Sequence, residues 1–338
     1  MVDIITIHLL LPELLWPVDN DSIEKTNVRP RFIEKLLSRA SKQHTEGLGL
    51  EETLFRLFDV SLHNSFDLPT AAVTYLGDGG DPAEYCWAVA SPVQFIADRD
   101  RLLMVGSEHL NIQYSEAEVL IKLFNRHFEE DGLTLVYGRS GIWYLRISEC
   151  PEVRTCSQES VVGHFLDDYL PQGADEQKLL SLLNETQMLF HQSDVNQERT
   201  VAGKETISGL WLSGFGRLPK VDARAVPIYS SLPITRGLSN LMTATHYELS
   251  ADINDIDLQH EEVFIINSEF METKKALDLP GWRAALMRLD SNLASLMVDN
   301  RKNIELVIYN CMGERYHINK KRLSYAFWKI SKNINSFK

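Results

Sequence analysis

Five short, predominantly apolar runs constrain this chain more than any other feature. Residues 4–11 form the first, and residues 207–212, 225–229, 263–267 and 304–309 form the rest. Each has the length of a strand and is apolar enough to be covered on both faces, the pattern of a parallel sheet between layers of helices. One covering helix is plain from its spacing. After Pro280, Trp282, Leu286, Leu289, Leu293 and Leu296 recur at intervals of four and three, with the proline in a first turn.

Residues 77–203 have another texture. Aromatic-rich strands over 85–89, 133–137 and 142–147 stand near turn signals, and Gly138, Ser140 and Gly141 predict a hairpin between the last two. A helix between them opens with a capping box at Ser115 and Glu118. It carries Val119, Leu120, Leu123, Phe124 and Phe128 on one face and ends at Gly132. The fold class expected is therefore α/β, a mainly parallel core flanked by helices with an inserted α+β cap. The core takes residues 1–76 and 204–338, and the cap takes residues 77–203.

Charge and cysteine usage narrow the function. With 34 basic and 47 acidic residues the net charge is −13, which repels a phosphate backbone, so no nucleic-acid partner is expected. The stretch 320–338 is a local exception, holding Lys320, Lys321, Arg322, Lys329, Lys332 and Lys338 without an acid, and reads as a solvated helix end. The apolar run near the N-terminus holds His8 and is followed by Pro12 and Glu13. It has no basic flank and is too short to span a bilayer, so a buried strand is expected rather than a signal peptide, and no membrane partner. Cys86, Cys150, Cys156 and Cys311 match neither a disulfide framework nor a zinc pattern, and reduced thiols in a cytoplasmic protein are expected.

The most specific segment is residues 182–216, LLNETQMLFHQSDVNQERTVAGKETISGLWLSGFG. It resembles the archaeal-type cofactor-independent phosphoglycerate mutases of the alkaline-phosphatase superfamily, in which a helix leads through an H-P-V-N-x-x-R-like turn to a strand running into R-G-x-G. His191, Val195, Asn196 and Arg199 match the turn, and Gly214 and Gly216 match the strand end. The runs LLNETQMLFHQSDVN, GLWLSGFGRLP and LSYAFWK are also similar to the bacterial RpfE-type regulatory protein family. Both resemblances imply the same parallel core with an inserted cap.

The resemblance also implies two divalent metals held by Asp and His around a Ser or Thr nucleophile, which would activate the hydroxyl and clamp the phosphoryl oxygens. This chain departs at each position. Pro12-Glu13 stands where the first strand should end in Asp-Gly, and Glu51-Glu52-Thr53 where the nucleophile should fall. No His occurs in the stretch from Asn267 to Glu272, and Asn310-Cys311-Met312-Gly313 replaces Asp-His. No catalytic residue, metal or cofactor is therefore expected. The reading is a non-catalytic regulatory or binding protein, a pseudoenzyme with an unidentified protein partner or a small anionic ligand. Two alternatives stand beside it: an active mutase or phosphatase with displaced ligands, and a nucleic-acid-binding regulator, which the charge opposes.

What survives of the mutase-like cleft is His191, Asn196, Arg199, Gly214, Gly216 and Arg236, a candidate anion site in which Arg supplies a fork and glycines expose N–H groups. Against it, Ser213 stands where the family places Arg, and His191, Asn196 and Arg199 could instead cap a helix and fix a turn. The remaining clusters read as structure. Asp252, Asp255, Asp257, Glu261 and Glu262 with His260 form a solvated loop, residues 77–81 a turn, and His8 and His127 ordinary strand and helix positions.

Overall fold

The computed structural model describes residues 4–16, 29–61, 66–99, 101–250, 253, 256–298, 303–325 and 330–337. Its main strands, in chain order, are β1 (Ile4–Leu10), β2 (Ser41–Leu48), β3 (Cys86–Asp98), β4 (Arg101–Val105), β5 (Thr134–Tyr137), β6 (Trp143–Ile147), β7 (Gly209–Gly216), β8 (Pro227–Tyr229), β9 (Thr245–Tyr247), β10 (Glu262–Ile266), β11 (Asn303–Tyr309) and β12 (Met312–Asn319). The main helices are α1 (Arg31–Arg39), α2 (Leu50–Leu57), α3 (Thr70–Gly77), α4 (Tyr114–His127), α5 (Glu176–His191), α6 (Asp194–Val201), α7 (Pro233–Met242), α8 (Glu269–Lys275), α9 (Leu279–Val298) and α10 (Lys320–Tyr325). The chain divides into two compact units: Met1–Asp59, Asp222–Thr235 and Leu241–Lys338 in the first, Val60–Val221 and Arg236–Asn240 in the second.

The first unit is built on a seven-stranded sheet ordered β9-β8-β10-β1-β11-β12-β2. The five strands from β9 to β11 run parallel, and β12 and β2 extend that edge antiparallel. Alternation puts Ile5, Ile7 and Leu9 of β1 on one face, where they join Val263 and Ile265, Ile304, Leu306 and Ile308, the apolar stripe of α9, and Ile33, Leu36 and Leu37 of α1. The apolar runs near residues 4, 263 and 304 and the 4-3 spacing after Pro280 are thus the core of this unit.

On the opposite face of β1, His8 sits in a polar network. Its ring stacks on Phe264 with centroids 4.5 Å apart, Nδ1 is 3.0 Å from the Tyr309 hydroxyl, and Nε2 is 3.0 Å from the Glu262 carboxylate. Glu262 in turn accepts two 2.7 Å bonds from Arg224. Burial lowers the His8 pKa below its ordinary 6.5, opposed by Glu262 and assisted by Arg224 and Arg315. A histidine that resists protonation in the folded state binds fewer protons than it does unfolded. Its contribution to stability is therefore complete above about pH 6.5 and is lost as pH falls toward the lowered value. Melting temperatures across pH 5–8 are expected to fall more steeply on the acid side for the wild type than for His8→Phe. Parallel curves would show that His8 does not carry this dependence.

The second unit carries a five-stranded antiparallel sheet, β4-β3-β6-β5 with β7 on the other side of β3. The hairpin expected around Gly138–Gly141 joins β5 to β6, with Gly141 in the left-handed region at φ 86°. The capping box of α4 lies one residue before the helix: the Gln113 N–H donates to Glu116 at 2.8 Å, while Glu118 pairs with Lys122. Val119, expected on the buried face of that helix, is exposed, and His127 is exposed and 2.7 Å from Glu185.

The expected division at residues 77 and 203 does not hold. Strand β7 belongs to the same sheet as β3, with Val89 opposite Ser213 and Val93 opposite Gly209, so the second unit extends to residues 60–221. Every residue of β7 is buried, and a strand covered on both faces reads the same whether its neighbours are parallel or antiparallel. The expectation of reduced thiols is corrected as well, because Cys86 and Cys150 form a disulfide. Cys86 pairs with Ile147 across β3 and β6, which brings the chain just beyond β6 back to the start of β3. Cys156 and Cys311 are free. Among the described residues no helix is long and apolar enough to cross a membrane. Asp252 and Asp255 of the acidic cluster lie outside the described residues; Asp257 accepts from the Gln259 N–H, and Glu262 is held by Arg224.

Candidate binding site

Of the six residues of the candidate anion site, His191 ends α5, Asn196 and Arg199 lie on α6, Gly214 and Gly216 on β7 and Arg236 on α7, and the fold spends most of their polar groups internally. Ser193 caps α6, accepting from the Asn196 N–H at 3.3 Å. The Asn196 amide then bridges two segments. Its Nδ2 donates to the Phe190 and Ile207 carbonyls, both at 2.8 Å, and its Oδ1 accepts from the Ile207 N–H at 2.8 Å.

Arg199 is 2% exposed, and each of its three side-chain nitrogens has a partner. Nε donates to the Glu205 carbonyl, Nη1 to Glu116 at 2.9 Å and Nη2 to the Leu110 carbonyl. Since Glu116 also caps α4, the guanidinium ties α6 to the start of that helix. A buried charge held in this way positions backbone, and its fork is not presented to a ligand.

The two glycines are shaped by close approach. A Cβ on Gly214, which has φ 70°, would meet the Thr70 hydroxyl at 2.1 Å, and one on Gly216 would meet the Pro69 Cβ at 2.3 Å. The backbone N–H groups here do face an oxyanion, but it is internal. Phe215 N donates to the Asp67 carboxylate at 3.2 Å, and Gly214 N donates at 3.1 Å to Thr155, whose hydroxyl donates to the same carboxylate. Burial pushes Asp67 above its ordinary value, opposed by these hydrogen bonds.

Arg236 donates to the Gly77 carbonyl at 3.3 Å. His191 and Asn196 share the wall of a cavity of about 450 Å³ with Asn184, Gln187 and Ser208, and Arg199, Gly214, Gly216 and Arg236 are not among its lining residues. The structure therefore does not assemble the six into one site.

In the first unit the carboxyl ends of the parallel strands are where an open α/β sheet places a ligand. Glu13 lies beyond β1 and pairs with Lys274 at 2.7 Å. Beyond β11, Asn310 Oδ1 accepts from the Met312 and Glu314 N–H groups at 2.9 and 3.2 Å. Burial pushes the neighbouring Cys311 thiol up to about 12, so it is protonated and unreactive at neutral pH. Thr53, in the expected nucleophile position, is buried and returns its hydroxyl to the Gly49 carbonyl at 2.7 Å.

Beyond β8 and β10 a cleft of about 520 Å³ opens, lined in part by Asn267, Ser268, Glu269 and Glu272 of the stretch where the resemblance implies metal ligands. Ser231, Asn267 and Ser268 stand at the strand ends, and Glu269, Glu272 and Arg288 come from α8 and α9. The Ser231 and Ser268 hydroxyls are 3.4 Å apart, and Arg288 is ion-paired with Glu269. Asp278 lines the same cleft, so it carries three carboxylates and one guanidinium already engaged by one of them. Among the described residues no group of three or more His, Cys, Asp or Glu side chains is placed to hold a metal ion.

No protein-family model matches the sequence. No curated protein matches it either. Among solved structures it is similar to the PH0037 protein from Pyrococcus horikoshii, at 12% identity and a TM-score of 0.54 over 94% of this chain and 88% of that one. A further match is the cofactor-independent phosphoglycerate mutase from Thermoplasma acidophilum DSM 1728, at 14% identity and a TM-score of 0.45 over 94% and 89% of the two chains. At these identities the likeness to the Pyrococcus protein is one of fold.

Proposed function

We propose that this chain is a non-catalytic binding protein on a phosphoglycerate-mutase-like, alkaline-phosphatase-type architecture, and that its small-molecule site is the cleft beyond β8 and β10. The charge of that cleft carries the reading. Glu269, Glu272 and Asp278 face one guanidinium, which Glu269 already neutralises. A phosphoglycerate, with a phosphate and a carboxylate of its own, would be repelled there, because removing like charges from water without a cation costs free energy that no group in the cleft returns. The hydroxyls of Ser231 and Ser268, which lie 3.4 Å apart at the strand ends, suit a neutral polyhydroxylated ligand instead.

The mutase chemistry lacks support at the other strand ends as well. Glu13, Asn310, Cys311 and Thr53 are each occupied or protonated where ligands and a nucleophile would be needed. The experiment is metal analysis of the purified protein together with an assay for interconversion of 3- and 2-phosphoglycerate. The expected result is less than stoichiometric divalent metal and no turnover on adding magnesium, manganese or zinc. Two bound metals per chain, or turnover abolished by a chelator, would return the chain to the active mutases.

A further inference from the structure

The chain is acidic as a whole, yet its fold gathers cations onto one surface of the first unit. Residues 29–42, 320–325 and 330–337 together hold nine of the 34 basic residues and one of the 47 acidic ones. That one acid, Glu34, is buried, where it pairs with Arg29 at 2.7 Å and accepts from the Ile334 N–H. Arg31, Lys35 and Arg39 recur every four residues along α1, on the side away from its buried Ile33, Leu36 and Leu37.

The C-terminal stretch is stitched beside this stripe. Arg322 Nε donates to the Arg39 carbonyl at 2.8 Å, Arg39 Nη1 donates to the Leu323 carbonyl at 2.5 Å, and Lys332 N donates to the Ser38 hydroxyl at 2.8 Å. Arg31, Lys321, Arg322 and Lys332 are exposed, and Lys35 and Arg39 are partly so. Among the described residues no carboxylate lies within ion-pair distance of any of these six, although carboxylates outnumber cations in the chain. What the sequence presents as a solvated helix end is thus half of a larger surface.

We propose that this surface docks an acidic segment of a partner protein. Charge complementarity selects the class. A short run of Asp and Glu can stay within the patch, whereas a long polyanion such as duplex DNA would continue over the acidic remainder and be repelled there. Screening over about 8 Å at physiological salt keeps the local attraction separate from the distant repulsion. The surface goes beyond the cleft reading and does not depend on it, so a catalytically active chain would carry it equally.

The test uses the full chain and a fluorescent twelve-residue Glu/Asp peptide, followed by anisotropy at about 0.15 M salt. A single-stranded oligonucleotide of equal charge and vesicles of phosphatidylserine serve as parallel probes. The expected result is saturable peptide binding that Arg31→Glu, Lys35→Glu and Lys332→Glu together weaken by at least about tenfold, while Lys122→Glu, Arg154→Glu and Lys178→Glu together change it by less than about threefold.

Hydrogen exchange on the wild type gives a readout that needs no variant to fold, with peptide-dependent protection expected in 31–39 and 320–325. Absence of peptide binding, equal loss in both triple variants, or protection elsewhere would overturn the proposal. Tighter binding of the oligonucleotide or the vesicles than of the peptide would overturn it in favour of those partners.

Discussion

Replacing Arg199 with alanine is expected to destabilise the second unit by about 3–5 kcal/mol, because Glu116 and the Leu110 and Glu205 carbonyls lose their partner inside the protein. For a unit of this size that corresponds to a fall in melting temperature on the order of 10 °C. Arg199→Lys should fall between the two, since an ammonium cannot reproduce donation from three separate nitrogens in a fixed plane. Phosphate or 3-phosphoglycerate should leave the wild-type melt unchanged, because the N–H groups at Gly214 and Phe215 already face Thr155 and Asp67. Anion-dependent stabilisation of the wild type, lost in both variants, would restore the ligand role. A melt of Arg199→Ala within about 1 °C of wild type would show that the buried pair contributes no more than an exposed one.

The segment around Arg199 shows what was legible in the sequence and what was not. Residues 182–216 stand out because a helix, a turn and a glycine-bearing strand follow one another closely; the structure has the helix and the strand, and helix α6 stands where the turn is expected. Whether the polar groups of such a turn face a ligand or their own backbone depends on partners distant in sequence. Glu116 and Leu110 are over 80 residues from Arg199, and nothing near Asn196 announces that its amide will bridge Phe190 and Ile207.

The sheet divides in the same way. The parallel strands β1, β10 and β11 are apolar enough to be read directly. The antiparallel edge is not. Strand β2, SKQHTEGL, is polar from Ser41 to Glu46 and borders the sheet, where exposed Lys42, Gln43 and His44 suit an edge better than an interior. Composition likewise shows that residues 320–338 are basic, but only the folded chain sets Arg322 and Lys332 beside α1. The stretch from Asn267 to Glu272 stands out only for the His it lacks, and Ser231, Asp278 and Arg288, which line the same cleft, carry no spacing rule that joins them to it.

The disulfide has the other large effect, and it decides which redox state is native. Closing the loop between Cys86 and Cys150, a sequence separation of 64, restricts the unfolded chain, which by chain entropy is worth about 4 kcal/mol, at the upper end of the usual range. Cys150→Ser is the variant of choice, because Cys86 is fully buried and a serine there would add the separate cost of an enclosed hydroxyl. The variant should melt on the order of 10 °C below the wild type. Dithiothreitol should lower the wild type to the same temperature and leave the variant where it is, which distinguishes loss of the cross-link from damage caused by the substitution. Thiol titration in denaturant without reductant supplies the independent count. Cys156 and Cys311 should react and Cys86 and Cys150 should not. If all four react in protein purified under oxidising conditions, the pairing of β3 with β6 brings the two sulfurs together without joining them, and the stability of this unit rests on its packing alone.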